Sequence, residues 1–148
     1  MDKKGGIKAV SDIQQKEIFL ENYWKAVLEQ DEKTLPDFFR EDALIRWHNT
    51  DEEFTVHEFI RANCEYPGEW DGCIQRMECA GDTMITAAHV HTKDGTLSFH
   101  VVSFFRMEDN RIISVDEYWG DDGAPPQWRR EKQIGRAIPT NIKRDGAV

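Results

Sequence analysis

The sequence predicts an α+β domain in which a curved antiparallel sheet and three N-terminal helices enclose a ligand-sized pocket. Three observations lead there. Apolar residues recur at helical spacing only in the first part of the chain, the period changes to two from Gly72 onward, and short turn signals join the later strands into consecutive hairpins. Helices first and a meander afterwards give helices packed on one side of a bent sheet.

Ser11 or Asp12 offers a cap for the first helix, and Ile13, Leu20, Tyr23, Trp24, Val27 and Leu28 then share one face until Gln30 and Asp31 end it. Tyr23 and Trp24 are adjacent, so at most one is expected to point squarely into the pocket. A short second helix begins between Asp31 and Thr34, carries Pro36 in its first turn and turns Leu35, Phe38 and Phe39 inward. Residues 43–47 read as a brief strand. The third helix is announced by a capping box, Thr55 with Glu58, and by a staple of Phe54 and Phe59; Pro67-Gly68 closes this helical stretch.

Four strands are expected over 73–79, 83–92, 96–107 and 111–119. Lys93-Asp94-Gly95 and Glu108-Asp109-Asn110 fit three-residue turns closed by a left-handed residue, which Gly adopts freely and Asn better than most. Such turns pair Thr92 with Thr96 and Met107 with Arg111, and paired numbers keep a constant sum along a hairpin. One face then carries Ile85, Ala87, His89 and His91 beside Leu97, Phe99, Val101, Ser103 and Phe105, continuing to Ile113, Val115, Glu117 and Trp119. The other carries His100, Val102 and Phe104 beside Ser114, Asp116 and Tyr118. The first is a long apolar stripe with a few polar points, the character of a ligand pocket.

The chain has 148 residues, 39% of them apolar, with five Trp, eight Phe and three Tyr to fill an interior. Acidic residues outnumber basic ones 28 to 19, a net charge of −9, which argues against nucleic acid and against an anionic membrane surface as partners. No apolar run approaches a membrane span, and the start of the chain has no apolar core for a signal peptide. Cys64, Cys73 and Cys79 are odd in number and lack paired ligand spacing, so they read as buried, reduced thiols of a cytoplasmic protein. One domain over 1–148 is expected, with its core at about 11–128 and an irregular tail over 120–148 wrapping the outside.

Glu117 is the sharpest candidate for chemistry. Between Val115 and Trp119 a carboxylate is partly desolvated, its pKa raised and its basicity useful near neutral pH; the alternatives are a structural glutamate bonded to the N-terminal helix or a rim residue in water. His89 and His91 alternate on one strand; with no obvious third ligand a metal is disfavoured, and they read either as histidines merely satisfied or exposed or as proton-transfer or hydrogen-bonding groups beside Glu117. Trp47, with His48, ends the short strand at the expected cavity mouth, where an aromatic ring can cover a flat ligand. The catalytic set is thus Glu117, His89 and Tyr23. Trp47, His91, Phe99, Val101, Ser103, Val115 and Trp119 form the binding set, with no metal and no cofactor.

With these residues in hand the chain resembles the SnoaL-like branch of the nuclear-transport-factor-2-like superfamily, whose fold is a cone-shaped, cystatin-like α+β barrel. The resemblance covers residues 13–128. It rests on Phe38-Phe39-Arg40-Glu41-Asp42-Ala43, on the hairpin from Phe104-Phe105-Arg106-Met107 through Glu108-Asp109-Asn110-Arg111-Ile112, and on Asp116-Glu117-Tyr118-Trp119. The family includes ketosteroid isomerases, polyketide cyclases, dehydratases, epoxide hydrolases and proteins that only bind. The isomerases' first-helix tyrosine falls on Tyr23, but their proton-shuttling aspartate falls on Trp47 and their oxyanion-holding acid on Ser103, so that mechanism is not implied. The cyclases' late acid falls on Glu117, which implies proton abstraction alpha to a carbonyl with His89 or Tyr23 polarising the oxygen. The resemblance also implies a homodimer through the outer sheet face at Val102, Phe104 and Tyr118. Three functions stay open: a cofactor-free isomerase, cyclase or lyase acting on a small hydrophobic carbonyl compound, a non-catalytic binder of a hydrophobic metabolite, and an assembly domain with a filled cavity.

Overall fold

The computed structural model describes residues 3–142, with side chains from residue 12 onward. Helix α1 (Lys3–Leu28) leads into a 3-10 turn (Leu35–Phe38), strands β1 (Phe39–Trp47) and β2 (Glu52–Thr55), and helix α2 (Val56–Cys64). Strands β3 (Trp70–Ala80), β4 (Thr83–Thr92), β5 (Ser98–Glu108) and β6 (Arg111–Asp121) come next, and a short helix α3 (Gln127–Glu131) lies in the tail. One curved six-stranded sheet has the order β2-β1-β6-β5-β4-β3.

The α+β class holds, with differences in detail. The sheet is not wholly antiparallel, because β1 lies parallel to β6, with Trp47 opposite Glu117. The second expected helix is a single 3-10 turn, although Leu35, Phe38 and Phe39 all point inward as expected. Helix α1 starts at Lys3, upstream of Asp12, and the Ser11 side chain is outside the described residues. Once a helix is nucleated, each added residue gains a hydrogen bond for two newly fixed dihedrals, so the helix can extend upstream past a candidate cap. Ile13, on that extension, is exposed.

The end of α1 shows how local chemistry places a wall. Gln30 adopts a left-handed φ of 54°. The amide of Asp31 donates to the Ala26 carbonyl and that of Gln30 to Val27, a Schellman closure without glycine. The freed Gln30 side chain donates to the carbonyls of Asn63 and Tyr66, at 2.9 and 2.8 Å, while Asn63 donates back to Val27 at 3.1 Å. The C-terminal ends of α1 and α2 are thereby clasped. At the other end of α2 the expected capping box is formed between Thr55 and Glu58.

Turn lengths set which side chains face the core. In the β4–β5 hairpin the Thr92 amide bonds to Leu97, giving a four-residue loop held by Asp94, whose carboxylate accepts from the Thr96 amide and hydroxyl. Paired numbers therefore sum to 189, as in His89 with His100, one more than a three-residue loop allows. That single step turns β4 over: Met84, Thr86, Ala88, Val90 and Thr92 are buried, while Ile85, Ala87, His89 and His91 face the other way. In the β5–β6 hairpin, Asp109 and Asn110 both take positive φ, 50° and 61°, in a two-residue turn that pairs Glu108 with Arg111. Beyond an irregularity at Arg106/Met107 the sum is 220, even like the expected one, so Phe99, Val101, Ser103 and Phe105 keep their face with Val115, Glu117 and Trp119. The same irregularity buries Ile112 in place of Ile113.

The core lies between α1, the 3-10 turn and the inner sheet face, and Tyr23 is its centre. Its ring meets Trp24, Phe38, Phe39 and Phe105 edge-on at 5.4–5.9 Å. Tyr23 and Trp24 are both buried, the latter donating its indole N–H to Thr86 at 3.1 Å. The cysteines are not the buried hydrophobes expected: Cys64 and Cys73 are half-buried and Cys79 is exposed. In the tail, Trp128, Ile134, Ile138 and Ile142 are each more than half exposed, so these side chains do not pack onto the body. No helix among the described residues is long and apolar enough to cross a membrane.

Gly72 marks a close approach of β3 to β4, since a Cβ there would collide with the His89 carbonyl oxygen. Gly72→Ala is expected to lower stability by about 2 kcal/mol, against less than about 0.5 kcal/mol for Gly123→Ala, where a Cβ meets nothing within 4 Å. Urea unfolding of the two variants checks the contrast, and equal losses would contradict it.

Candidate functional site

A cavity of about 570 Å³ opens between the clasped ends of α1 and α2 and the upper part of the sheet. Its sheet wall is a chain of four aromatic rings. Trp70 on β3 stacks on Phe99 of β5 at 6.1 Å, Phe99 meets Trp119 of β6 edge-on at 5.9 Å, and Trp119 meets Trp47 of β1 at 6.4 Å. Val27 and Leu28 from α1, with Ala62 and Tyr66 from the region of α2, form the facing wall. Alternation brings the rings to one side: Val90 is opposite Phe99, and Val101 opposite Trp119, in registers that put each on the inner face.

The carboxamides of the lining are already engaged, whereas the indole N–H of Trp70 is buried without a partner among the described residues. The carboxamides of Gln30 and Asn63 make the helix clasp, and that of Asn49 holds both the amide and the carbonyl of Trp119. Asn49 thus continues the ladder where β1 has ended, just after the His48 amide bonds to the Glu117 carbonyl at 3.0 Å. Asp121 contributes a carboxylate at the rim. The surface presented to a guest is therefore chiefly ring faces and aliphatic side chains.

Behind the Trp47–Trp119 part of this wall sits Glu117, 2% exposed. Its carboxylate accepts from the Ser103 hydroxyl at 2.6 Å and from the Trp119 indole at 3.2 Å. The indole N–H of Trp47, buried without a partner of hydrogen-bond geometry, faces the same group and pulls in the same direction. Burial is the strongest influence and raises the pKa of Glu117 above its ordinary 4.5; the three donors oppose it without cancelling it. Tyr23 is pushed well above its ordinary 10, first by burial and then by the nearby Glu117 charge, so it stays protonated.

The predicted residues separate into three groups. Trp47, Phe99 and Trp119 line the cavity. Tyr23, Val101, Ser103, Val115 and Glu117 are inward but lie in the core behind it. His89 and His91 are corrected outright: the four-residue β4–β5 loop places both on the outer face, where His89 meets Ser98 at 2.9 Å and His91 meets the Thr92 carbonyl at 2.9 Å. Trp70 and Val90 were not foreseen. The alternation Trp70, Gly72, Ile74 continues β3 upstream of Cys73 and was the available signal for the first; Val90 needed the true register.

The profile of the SnoaL-like domain family matches residues 20–115. Among solved structures, a Kribbella flavida protein provisionally designated a ketosteroid isomerase superposes with a TM-score of 0.71 at 21% identity, covering 90% of this chain and 96% of that one. An NTF-2 like protein of unknown function from Burkholderia xenovorans gives 0.65 at 18%, covering 83% and 94%. A Shewanella putrefaciens protein provisionally designated a SnoaL-like polyketide cyclase gives 0.61 at 19%, covering 71% and 89%. At these identities the likeness is one of fold. No curated protein matches the sequence.

A raised Glu117 pKa has a definite sign. The folded chain holds its proton over a pH range where the unfolded chain has released it, so stability falls as pH rises above the unfolded carboxyl's range. Glu117→Gln is expected to be level with the parent chain at acid pH and more stable by about 1 kcal/mol at neutral pH, or about 4 °C in Tm. Calorimetry across pH checks this; a Gln variant less stable at neutral pH would show that the donors, not burial, dominate.

Proposed function

The chain belongs to the SnoaL-like domain family, within the nuclear-transport-factor-2-like superfamily, and we propose that it binds a flat, largely apolar small molecule in the tryptophan-lined cavity. The observation that carries this reading is the continuous wall Trp70–Phe99–Trp119–Trp47 facing the aliphatic ends of two helices. A volume of about 570 Å³ suits a guest of two or three fused rings. The lining amides are committed to the protein itself, so selection rests on shape and ring stacking, with Asp121 at the rim favouring neutral or cationic guests over anions.

A second reading, a cofactor-free acid–base enzyme working on a small hydrophobic carbonyl compound, is supported by the raised proton affinity of Glu117 and by protonated Tyr23 nearby. In that reading Glu117 takes a proton alpha to the carbonyl, and the Trp119 ring must swing aside to admit the substrate, because the carboxyl is 2% exposed. In either reading the chain forms a homodimer through the outer sheet face, where Val102, Phe104 and Tyr118 are 39, 37 and 49% exposed.

Calorimetric titration with 2-naphthol tests the binding reading. One saturable site per chain is expected, weakened about ten-fold by Trp70→Ala and by Trp119→Ala, the loss of one ring contact of about 1.4 kcal/mol. Glu117→Gln should keep this affinity within about two-fold, since its side chain stays behind the wall. Non-saturable uptake, or unchanged affinity in both tryptophan variants, would rule the cavity out as the site.

A further inference from the structure

The overturned face of β4 assembles a second constellation away from the cavity. His89 of β4 is the direct cross-strand partner of His100 on β5, and their rings stack at 4.7 Å within 11° of parallel. Asp122, one residue beyond β6, is tied to β5 by its amide, which donates to the Ser98 carbonyl at 3.0 Å. Its carboxylate then reaches both imidazoles: one oxygen contacts His100 Nδ1, and the other lies 3.5 Å from His89 Nε2. The three ligand-type atoms lie within 4.8 Å of one another.

We propose that His89, His100 and Asp122 form a binding site for a divalent first-row transition-metal ion on the outer face of the sheet. Two imidazole nitrogens and a carboxylate are the donor set of three-ligand zinc and of two-histidine, one-carboxylate sites, with the remaining position left to water. Because the rings are stacked rather than end to end, His89 offers its distal Nε2 and His100 its proximal Nδ1, and that choice brings both nitrogens to one point. Closing from this spacing to about 3.3 Å between ligand atoms, the separation that bonds of about 2.0 Å require in a tetrahedron, needs movement mainly of His100. That side chain is 51% exposed, against 17% for His89 and 27% for Asp122.

The surroundings fit the assignment. The Asp122 carboxylate is held among hydrogen-bonding neighbours on β5, with its side chain 27% exposed. Ser98 donates to it at 2.6 Å, an outer contact of the kind that orients a metal-binding carboxylate. The net charge of −9 attracts cations generally. Two ligands come from the paired strands β4 and β5, and the third follows β6 and is tied to β5 by its amide, so the site is supported before an ion arrives.

Titration of tag-free, chelator-treated protein with zinc chloride tests this, read by calorimetry and by the rise in Tm. One equivalent per chain is expected. His100→Ala and Asp122→Ala should each weaken binding at least ten-fold, while His91→Ala, which alters a neighbouring ring outside the set, stays within about three-fold. Circular dichroism of each variant verifies that it is folded. No saturable binding by the parent chain, a loss of less than ten-fold in either ligand variant, or a loss in His91→Ala as large as theirs would overturn the assignment.

Discussion

The carboxyl of Glu117 is where the sheet's organisation converges. It receives a hydroxyl from β5, an indole of its own strand, and the field of a second indole from β1, the strand that pairs with β6 in parallel. A buried carboxyl is tolerable only when donors surround it, so these contacts require Ser103, Trp47 and Trp119 to stand where they do. Trp47 and Trp119 are also half of the cavity's aromatic wall. One polar demand in the core therefore fixes the apolar surface offered to a ligand.

That arrangement links two properties that composition would keep apart. Were the two indoles not directed at Glu117, nothing in their hydrophobicity would orient them, since rings pack in several ways at similar energy. With their N–H groups directed inward, their faces and edges are left for the cavity. Asn49 adds a second constraint by capturing the backbone of Trp119. The site is thus tied by hydrogen bonds on its sheet side and framed by the Gln30–Asn63 clasp on its helix side. Under the proposed binding reading such an apolar pocket selects by shape, and under the acid–base reading the wall has to open to reach Glu117.

Much of the fold was legible locally. The capping box at Thr55, the inward face of α1 from Leu20 to Val27, and the inward Leu35, Phe38 and Phe39 all derive from residue type and spacing. The parallel placement of β1 was not legible, because strand partners far apart in sequence leave no periodic mark, and β2 was not, because it is four residues long with only Phe54 partly buried. The candidate site divided along the same line. Phe99 and Trp119 reached the cavity from the β5–β6 pairing, in which an error of two residues preserves every face. His89 and His91 did not, because the β4–β5 loop is longer by one residue, and an odd error reverses every face.

Residue order alone determined the α+β class, the resemblance to the SnoaL-like family, the apolar stripe on β5 and β6, and the desolvation of Glu117. Tertiary structure decided that Glu117 lies behind the cavity wall, that Trp70 and Val90 complete that wall, and that His89 and His100 meet Asp122 on the opposite face. The physical reason is the range of the interactions concerned. Helix faces, caps and alternation are written within a few residues, whereas burial of a charge and convergence of ligands depend on registers between strands. A single hydrogen-bonded turn, Thr92 to Leu97, selects the β4–β5 register, and its two candidate lengths differ by less than the sequence can reveal.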